Sequence, residues 1–307
     1  MERSEIMTTS SWEAPPDRAA QSRLRGERWM SWWVRAMAAI AILSVGLIAL
    51  FIFAKGLPPI WTIGWSEFLL GDTWKPGDMP PQYGIFPMIV GSVMVTAGAM
   101  LMGAPVALAA AVYLAGFCPP RFRRTLNSLV LLLAGIPSIV YGFFGMVVLV
   151  PWVRESFSGT GSSLFTAALL LAIMILPTVI SVSETAFSAV PERYYEAGRA
   201  LGLTHEKTMV GVIVPAASSG VLAALVLGIG RAIGETMAVV MVAGNQAVIP
   251  TSIWEGTRTL TANIVLEMGY AADLHRDSLI ASGAILFMMI LCLNTVFLYL
   301  REKWVKV

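Results

Sequence analysis

The chain has 307 residues, of which 57% are hydrophobic and 13% charged, with a mean hydropathy of +0.73. A soluble domain carries about 25% charged residues, so most of this surface must face lipid or other membrane helices. The formal net charge of +2 excludes a broad basic surface for nucleic acid. Cys118 and Cys292 lie far apart, which excludes a disulfide framework, and His205 and His275 are equally isolated, so no metal-ligand spacing is present. The expected fold class is an all-α integral membrane protein.

Residues 1–30 are polar, contain Pro15-Pro16 and lack an apolar face, and are expected to form a flexible cytoplasmic tail. A single transmembrane domain is expected over 31–307. The apolar stretch behind the tail is long enough to span and shows no small-residue cleavage site, so it reads as a retained anchor. Crossing ~30 Å of hydrocarbon takes about 20 apolar residues. Six stretches qualify: Val34–Ala54, Ile85–Phe117, Thr125–Val150, Ser163–Ser183, Ala216–Ala243 and Leu279–Leu300. The second is longer than one crossing requires. It contains Gly103-Ala104-Pro105 without a polar turn, which predicts one long kinked helix. Pro137 and Pro177 predict bends in the third and fourth.

Lys and Arg in short loops set orientation. Arg3, Arg18, Arg23, Arg25, Arg28, Arg35, Arg121, Arg123, Arg124, Arg193, Arg199, Lys207, Arg301, Lys303 and Lys306 fall on one side. Lys55, Lys75, Arg154, Arg258 and Arg276 fall on the other, which places both termini in the cytoplasm. Trp29, Trp32 and Trp33 then sit where an interfacial aromatic belt anchors the first helix. Outside, Lys55–Gly84 is a loop rich in Gly, Pro and Trp. In the loop Gly244–Ser278, Leu260, Ile264 and Met268 recur at helical spacing and predict a short amphipathic helix lying on the outer surface.

Catalytic templates are absent. In Gly202-Leu-Thr-His-Glu-Lys207-Thr208, the closest approach to a phosphate-cradling loop, Glu206 takes the place of the second glycine, where bare backbone is required. Gly228-Ile-Gly230-Arg-Ala-Ile-Gly234 lies in an apolar helix and reads as close helix packing, Gly230 and Gly234 being four apart.

The fifth stretch also carries Arg231 and Glu235, four residues apart and so on one face of a continuous helix. Each costs about 2.5–3.5 kcal/mol at the bilayer centre. Two readings fit. The pair is a structural ion pair that fixes register, or Arg231 offers its planar fork of donors to a passing anion while Glu235 holds it in place. Ser138, beside Pro137, either donates to the same pathway or satisfies a carbonyl freed by the proline. Glu184 reads as an interfacial structural carboxylate.

The segment Pro191–Pro215 is too long for an ordinary turn between helices. Its alternation of charged and small residues predicts a helix of about two turns ended by Gly202, then a second short stretch leading into the fifth span. Such a structured loop suggests a cytoplasmic docking surface.

Within it, Glu196-Ala197-Gly198-x3-Gly202-x9-Val212-x-Val214-Pro215 resembles the EAA motif of bacterial ABC importer permeases, E-A-A-x3-G-x9-I-x-L-P, with Gly for the second Ala and Val for Ile and Leu. Gly230-Arg-Ala-Ile-Gly-Glu-Thr-Met-Ala-Val239, Leu133-Ala-Gly-Ile-Pro-Ser-Ile-Val-Tyr-Gly-Phe-Phe-Gly145 and Thr259-Leu-Thr-Ala-Asn263 are similar to PstC-type subunits of phosphate importers. The resemblance covers roughly residues 85–300. It implies a six-helix MetI-like permease of the bacterial inner membrane, paired with a PstA-type permease, with two PstB-type ATPases below and a PstS-type phosphate-binding protein above. It implies coupling to the ATPase through Glu196, Ala197, Gly198, Gly202 and Pro215, a substrate pathway through Arg231, Glu235 and Ser138, and no cofactor in this chain, since ATP and Mg belong to the ATPase. The chain is then a transporter subunit rather than an enzyme, moving inorganic phosphate by alternating access. The alternatives are a permease for sulfate, molybdate or phosphonate, an ATP-independent anion transporter or channel, and a membrane scaffold in which the ion pair is purely structural.

Overall fold

The computed structural model describes residues 18–157 and 159–305, with side chains described for 29–157 and 159–299. Helix α1 (Arg18–Ile63) begins inside the stretch expected as a tail and continues past Ala54 through Pro58 and Pro59. Residues 1–17, with Arg3, lie outside the described residues. Residues 18–51 belong to a unit of their own, in which the exposed rings of Trp29, Trp32 and Trp33 cluster with centroids 5.9–6.2 Å apart.

In the larger unit, the end of α1 leads through Gly64 into α2 (Trp65–Leu70) and a hairpin of β1 (Trp74–Lys75) and β2 (Gln82–Tyr83), antiparallel with Trp74 opposite Tyr83. This first outer loop is ordered because its apolar residues are buried: Ile60, Phe68, Trp74, Tyr83 and Ile85 share one core with Leu260 and Leu279.

Helix α3 (Phe86–Val112) runs uninterrupted past Pro105 and continues through a π-helical turn, Tyr113–Phe117, giving the single long helix that the sequence predicts. The third apolar stretch behaves differently. Helix α4 (Pro120–Ala134) is a separate amphipathic helix, and Gly135-Ile136-Pro137 interrupts the chain. The spanning run starts only at Ser138, as α5 (Ser138–Phe144), a π-helical turn and α6 (Val150–Ser156). The expected span Thr125–Val150 is therefore corrected to Ser138–Ser156, because Pro137 and Gly135 end one helix instead of bending it.

Helix α7 (Leu164–Ser188), capped by the Ser163 hydroxyl on the Thr166 amide, forms the centre and is buried along most of its length despite Pro177. The expected coupling segment follows as α8 (Glu192–Ala200), α9 (His205–Thr208), a π-helical turn Met209–Ile213 and α10 (Val214–Ala216). The axis then bends by 70° into α11 (Ser218–Gly234). The fifth stretch is also broken: Glu235 and Thr236 leave the helix before α12 (Met237–Val242).

Helix α13 (Leu260–Glu267) is the helix expected in the second outer loop, but Leu260, Thr261, Ala262, Asn263 and Glu267 are all buried, so it is packed within the structure and does not lie on the surface. Helix α14 (Asp273–Val305) ends the fold and starts six residues before the expected Leu279. Among the described residues, five helices are long and apolar enough to cross a membrane, and six if the bent pair His205–Ala216 and Ser218–Gly234 counts as one span.

Candidate functional site: a cytoplasmic coupling segment and an intramembrane arginine

The coupling segment folds as its residues dictate. Gly202 adopts φ +80°, and its amide bonds to the Arg199 carbonyl (3.0 Å) while the Leu203 amide bonds to the Gly198 carbonyl (3.2 Å). This is the double bond pattern by which a left-handed residue closes a helix, and glycine takes it without a Cβ clash. Thr204 starts α9 by accepting from the Lys207 amide. Glu196 and Ala197 face outward, fully available to a partner, whereas Gly198 is buried. A Cβ on Gly198 would stand 2.8 Å from Thr208 Cγ2, and Thr208 is fully buried. Glycine thus replaces the motif's alanine because a threonine fills the space. Pro215, exposed in α10, offers no amide to the preceding turn and lies two residues before the 70° bend.

The segment is tied to the membrane helices at several points. His205 Nε2 donates to the Gly116 carbonyl (2.9 Å), its ring lies 4.8 Å from that of Phe117, and Nδ1 accepts from the Tyr195 hydroxyl at 2.9 Å. Arg123 of α4 binds the half-buried Glu184 of α7 and donates to the Ser188 hydroxyl (2.9 Å), so Glu184 is the structural carboxylate that the sequence suggests.

In the membrane, Gly228 lets α11 approach α7: a Cβ there would meet Val179 Cγ2 at 2.8 Å. Gly230 and Gly234 have nothing within 4 Å of such a Cβ, so the packing expected of them falls to Gly228 instead. Beside this contact Arg231 Nη1 donates to Thr178 Oγ1 at 3.0 Å. Among the described residues it has no carboxylate partner. Glu235 is not on the Arg231 face because the helix has ended: its backbone is extended (φ −70°, ψ 133°), and its carboxylate accepts from the Ala238 amide at 3.3 Å, capping α12. The expected Arg231–Glu235 pair is thus replaced by two separate roles. The Glu235 carbonyl, freed by the break, accepts from the Thr261 hydroxyl of α13 at 3.0 Å.

The break in the third stretch is satisfied in a related way. Pro137 cannot donate to the Leu133 carbonyl, and the Tyr141 hydroxyl does so at 2.9 Å. Tyr141 therefore performs the task considered for Ser138, whose half-buried hydroxyl makes no hydrogen bond among the described residues. Tyr141 lies within electrostatic reach of Arg231, and with Ala232, Ala238 and Val239 it forms one core, against which Ile136 packs. Gly142 brings α5 onto α12, where a Cβ would meet Ala238 Cα at 3.0 Å. Both broken helices and Arg231 thus meet around one cluster.

The two loops expected outside, Lys55–Gly84 and Gly244–Ser278, close over a buried carboxylate. Glu267, with 8% of its side chain exposed, accepts from Trp74 Nε1 (2.8 Å), Arg258 Nη1 (2.6 Å) and His275 Nε2 (2.9 Å). Arg258 also binds Asn263 Oδ1 and the Asn245 carbonyl, each at 2.9 Å. Sequence reasoning missed Thr178, Tyr141, His205 and Glu267. Only Thr178, a hydroxyl next to a proline in an apolar span, left a local trace.

Two broken helices, an arginine that has no carboxylate partner among the described residues, and an exposed Glu-Ala helix make up the candidate site. The sequence signature described as binding-protein-dependent transport system inner membrane component matches residues 103–302. The chain belongs to this permease family. Its permease relatives include the probable ABC transporter permease protein YqgH of Bacillus subtilis, 38% identical with 88% of this chain and 89% of that protein covered. They also include the phosphate transport system permease protein PstC of Mesorhizobium japonicum, 35% identical over 83% and 84%, and that of Pasteurella multocida, 34% identical over 74% and 77%. Among solved structures, the permease fold is shared with an alginate ABC importer (13% identical, TM-score 0.61, covering 92% and 99%). It is also shared with the methionine transporter MetNI in an inward-facing conformation (20% identical, TM-score 0.54, covering 72% and 94%). The family and the apolar helices make this a multi-pass inner-membrane permease.

Proposed function

We propose that this permease is the membrane subunit of an ATP-driven importer of inorganic phosphate. The observation that carries the reading is Arg231, a guanidinium within a membrane helix whose described partner is a neutral hydroxyl. An uncompensated intramembrane charge is sustained where it lines a water-filled path, and a tetrahedral oxyanion is the counterion that suits its fork of donors. The relatives named as phosphate permeases support phosphate as that anion.

A PstA-type permease completes the pathway, two PstB-type ATPases dock on Glu196 and Ala197, and a PstS-type phosphate-binding protein docks on the outer cap. ATP and Mg are held by the ATPases, and this chain holds no cofactor. Both termini lie in the cytoplasm in this reading, which the Lys and Arg distribution supports. ATPase closure moves α8, and the Gly198–Thr208 contact and the rigid run His205–Ala216 pass that motion to α11 and Arg231. Ser138, with its free hydroxyl beside the Gly135–Pro137 break, lines the same path, and Glu235 shapes it by holding the start of α12.

The test is phosphate uptake into proteoliposomes holding both permeases and the ATPase, with the binding protein outside. ATP-dependent uptake that tenfold excess sulfate leaves unchanged supports the reading. Competition by sulfate, molybdate or phosphonate overturns phosphate specificity, and uptake without ATP overturns the ABC assignment.

A further inference from the structure

Thr178 follows Pro177 on α7 and accepts the described hydrogen bond of Arg231. A hydroxyl on an apolar helix ordinarily returns its proton to the carbonyl four residues earlier. Thr185 does this on the same helix, to the Ser181 carbonyl at 2.8 Å, and Thr295 on α14, to the Leu291 carbonyl at 2.8 Å. Thr178 departs from that pattern. Its oxygen accepts from Arg231, and among the described residues its own proton has no acceptor. The pair is held in register by the Gly228 contact on Val179, the residue next to Thr178, where α7 and α11 approach closely enough that a Cβ on Gly228 would stand 2.8 Å from Val179 Cγ2.

We propose that Thr178 is a second ligand of the transported oxyanion and the residue that aims Arg231 at it. This rests on the reading of Arg231 as part of the phosphate path. A tetrahedral oxyanion presents several acceptor oxygens to the site. Arg231 supplies charge and N–H donors from α11, and Thr178 supplies an O–H donor from α7. Accepting from a cation polarises the hydroxyl and strengthens its donation. The two ligands sit on different helices, so the anion bridges α7 and α11 while it is bound. Movement of α11 relative to α7, passed on through the 70° bend that joins α10 to α11, separates the ligands and releases it.

The test compares Thr178→Val, Thr178→Ser and Arg231→Gln in the reconstituted full complex, reading phosphate moved per ATP hydrolysed, with Thr185→Val as a control for loss of a hydroxyl bonded only to its own helix. Thr178→Val is expected to lower phosphate per ATP about tenfold, the loss of roughly one charge-assisted hydrogen bond, and Thr178→Ser to stay within twofold of wild type. If Arg231→Gln abolishes uptake while Thr178→Val matches wild type, or if Ser is as poor as Val, Thr178 is not a ligand. If Arg231→Gln itself transports normally, the underlying reading of Arg231 fails, and this inference with it. Should Thr178→Val fail to assemble, Thr178→Ala against Thr178→Ser carries the same contrast.

Discussion

Gly198 and Thr208 share one volume in the coupling segment: the Cβ that the first lacks would fall 2.8 Å from the Cγ2 of the second. Thr208 is β-branched, fully buried and held by its hydroxyl to the Thr204 carbonyl at 2.9 Å, so it has little freedom to retreat. Gly198→Ala gains up to about 1 kcal/mol of helix propensity but incurs an overpacking cost of about 1–3 kcal/mol. We expect weaker receptor-stimulated ATP hydrolysis in Gly198→Ala and recovery in Gly198→Ala with Thr208→Ala, where the added methyl replaces one removed.

Tyr141→Phe removes the side-chain donor that stands in for the missing Pro137 amide at the Leu133 carbonyl and leaves that carbonyl the longer bond from the Ile136 amide. Loss of the Tyr141 hydrogen bond costs about 0.5–1.5 kcal/mol, read as a lower Tm of the solubilised complex. Adding Pro137→Ala restores an amide at that position. The double variant should regain Tm and lose transport, because restoring the helix closes the break beside Arg231.

Glu267→Ala strips the outer network of its acceptor and leaves Arg258 and His275 without their carboxylate. Breaking a buried pair in this way costs about 3–5 kcal/mol. Hydrogen exchange should accelerate in α13 and in the β1–β2 hairpin together, since Trp74 and Arg258 share the same carboxylate. Faster exchange confined to one of the two elements contradicts this coupling.

The glycines of α11 separate cleanly. Gly228→Ala forces α11 away from Val179 and displaces Arg231, and uptake should fall at least tenfold. Gly230→Ala meets nothing within 4 Å of this chain, so the Tm of the isolated subunit should stay within a degree or two. A large loss of Tm in Gly230→Ala contradicts the packing described.

The apolar stretches, the long helix through Pro105 and the helix closed by Gly202 were legible because each follows from local composition or backbone preference. The breaks at Gly135–Pro137 and Glu235–Thr236 were not, because proline permits either a kink or a stop and the choice rests on tertiary partners: Tyr141 for one carbonyl, Thr261 for the other. The same limit explains Arg231. Spacing alone put Glu235 on its face, whereas the end of the helix turned that carboxylate to the Ala238 amide. Buried α13 read as a surface helix because two of its polar residues find partners distant in sequence, Thr261 at the Glu235 carbonyl and Glu267 at Trp74.

The central claim is that Arg231 carries the transported anion. Its most direct test is ATP-dependent phosphate uptake by Arg231→Gln and wild type at matched amounts of assembled complex. The account predicts loss of uptake in the variant with assembly and Tm retained. Uptake equal to wild type, or loss of uptake that merely follows loss of assembly, would contradict it.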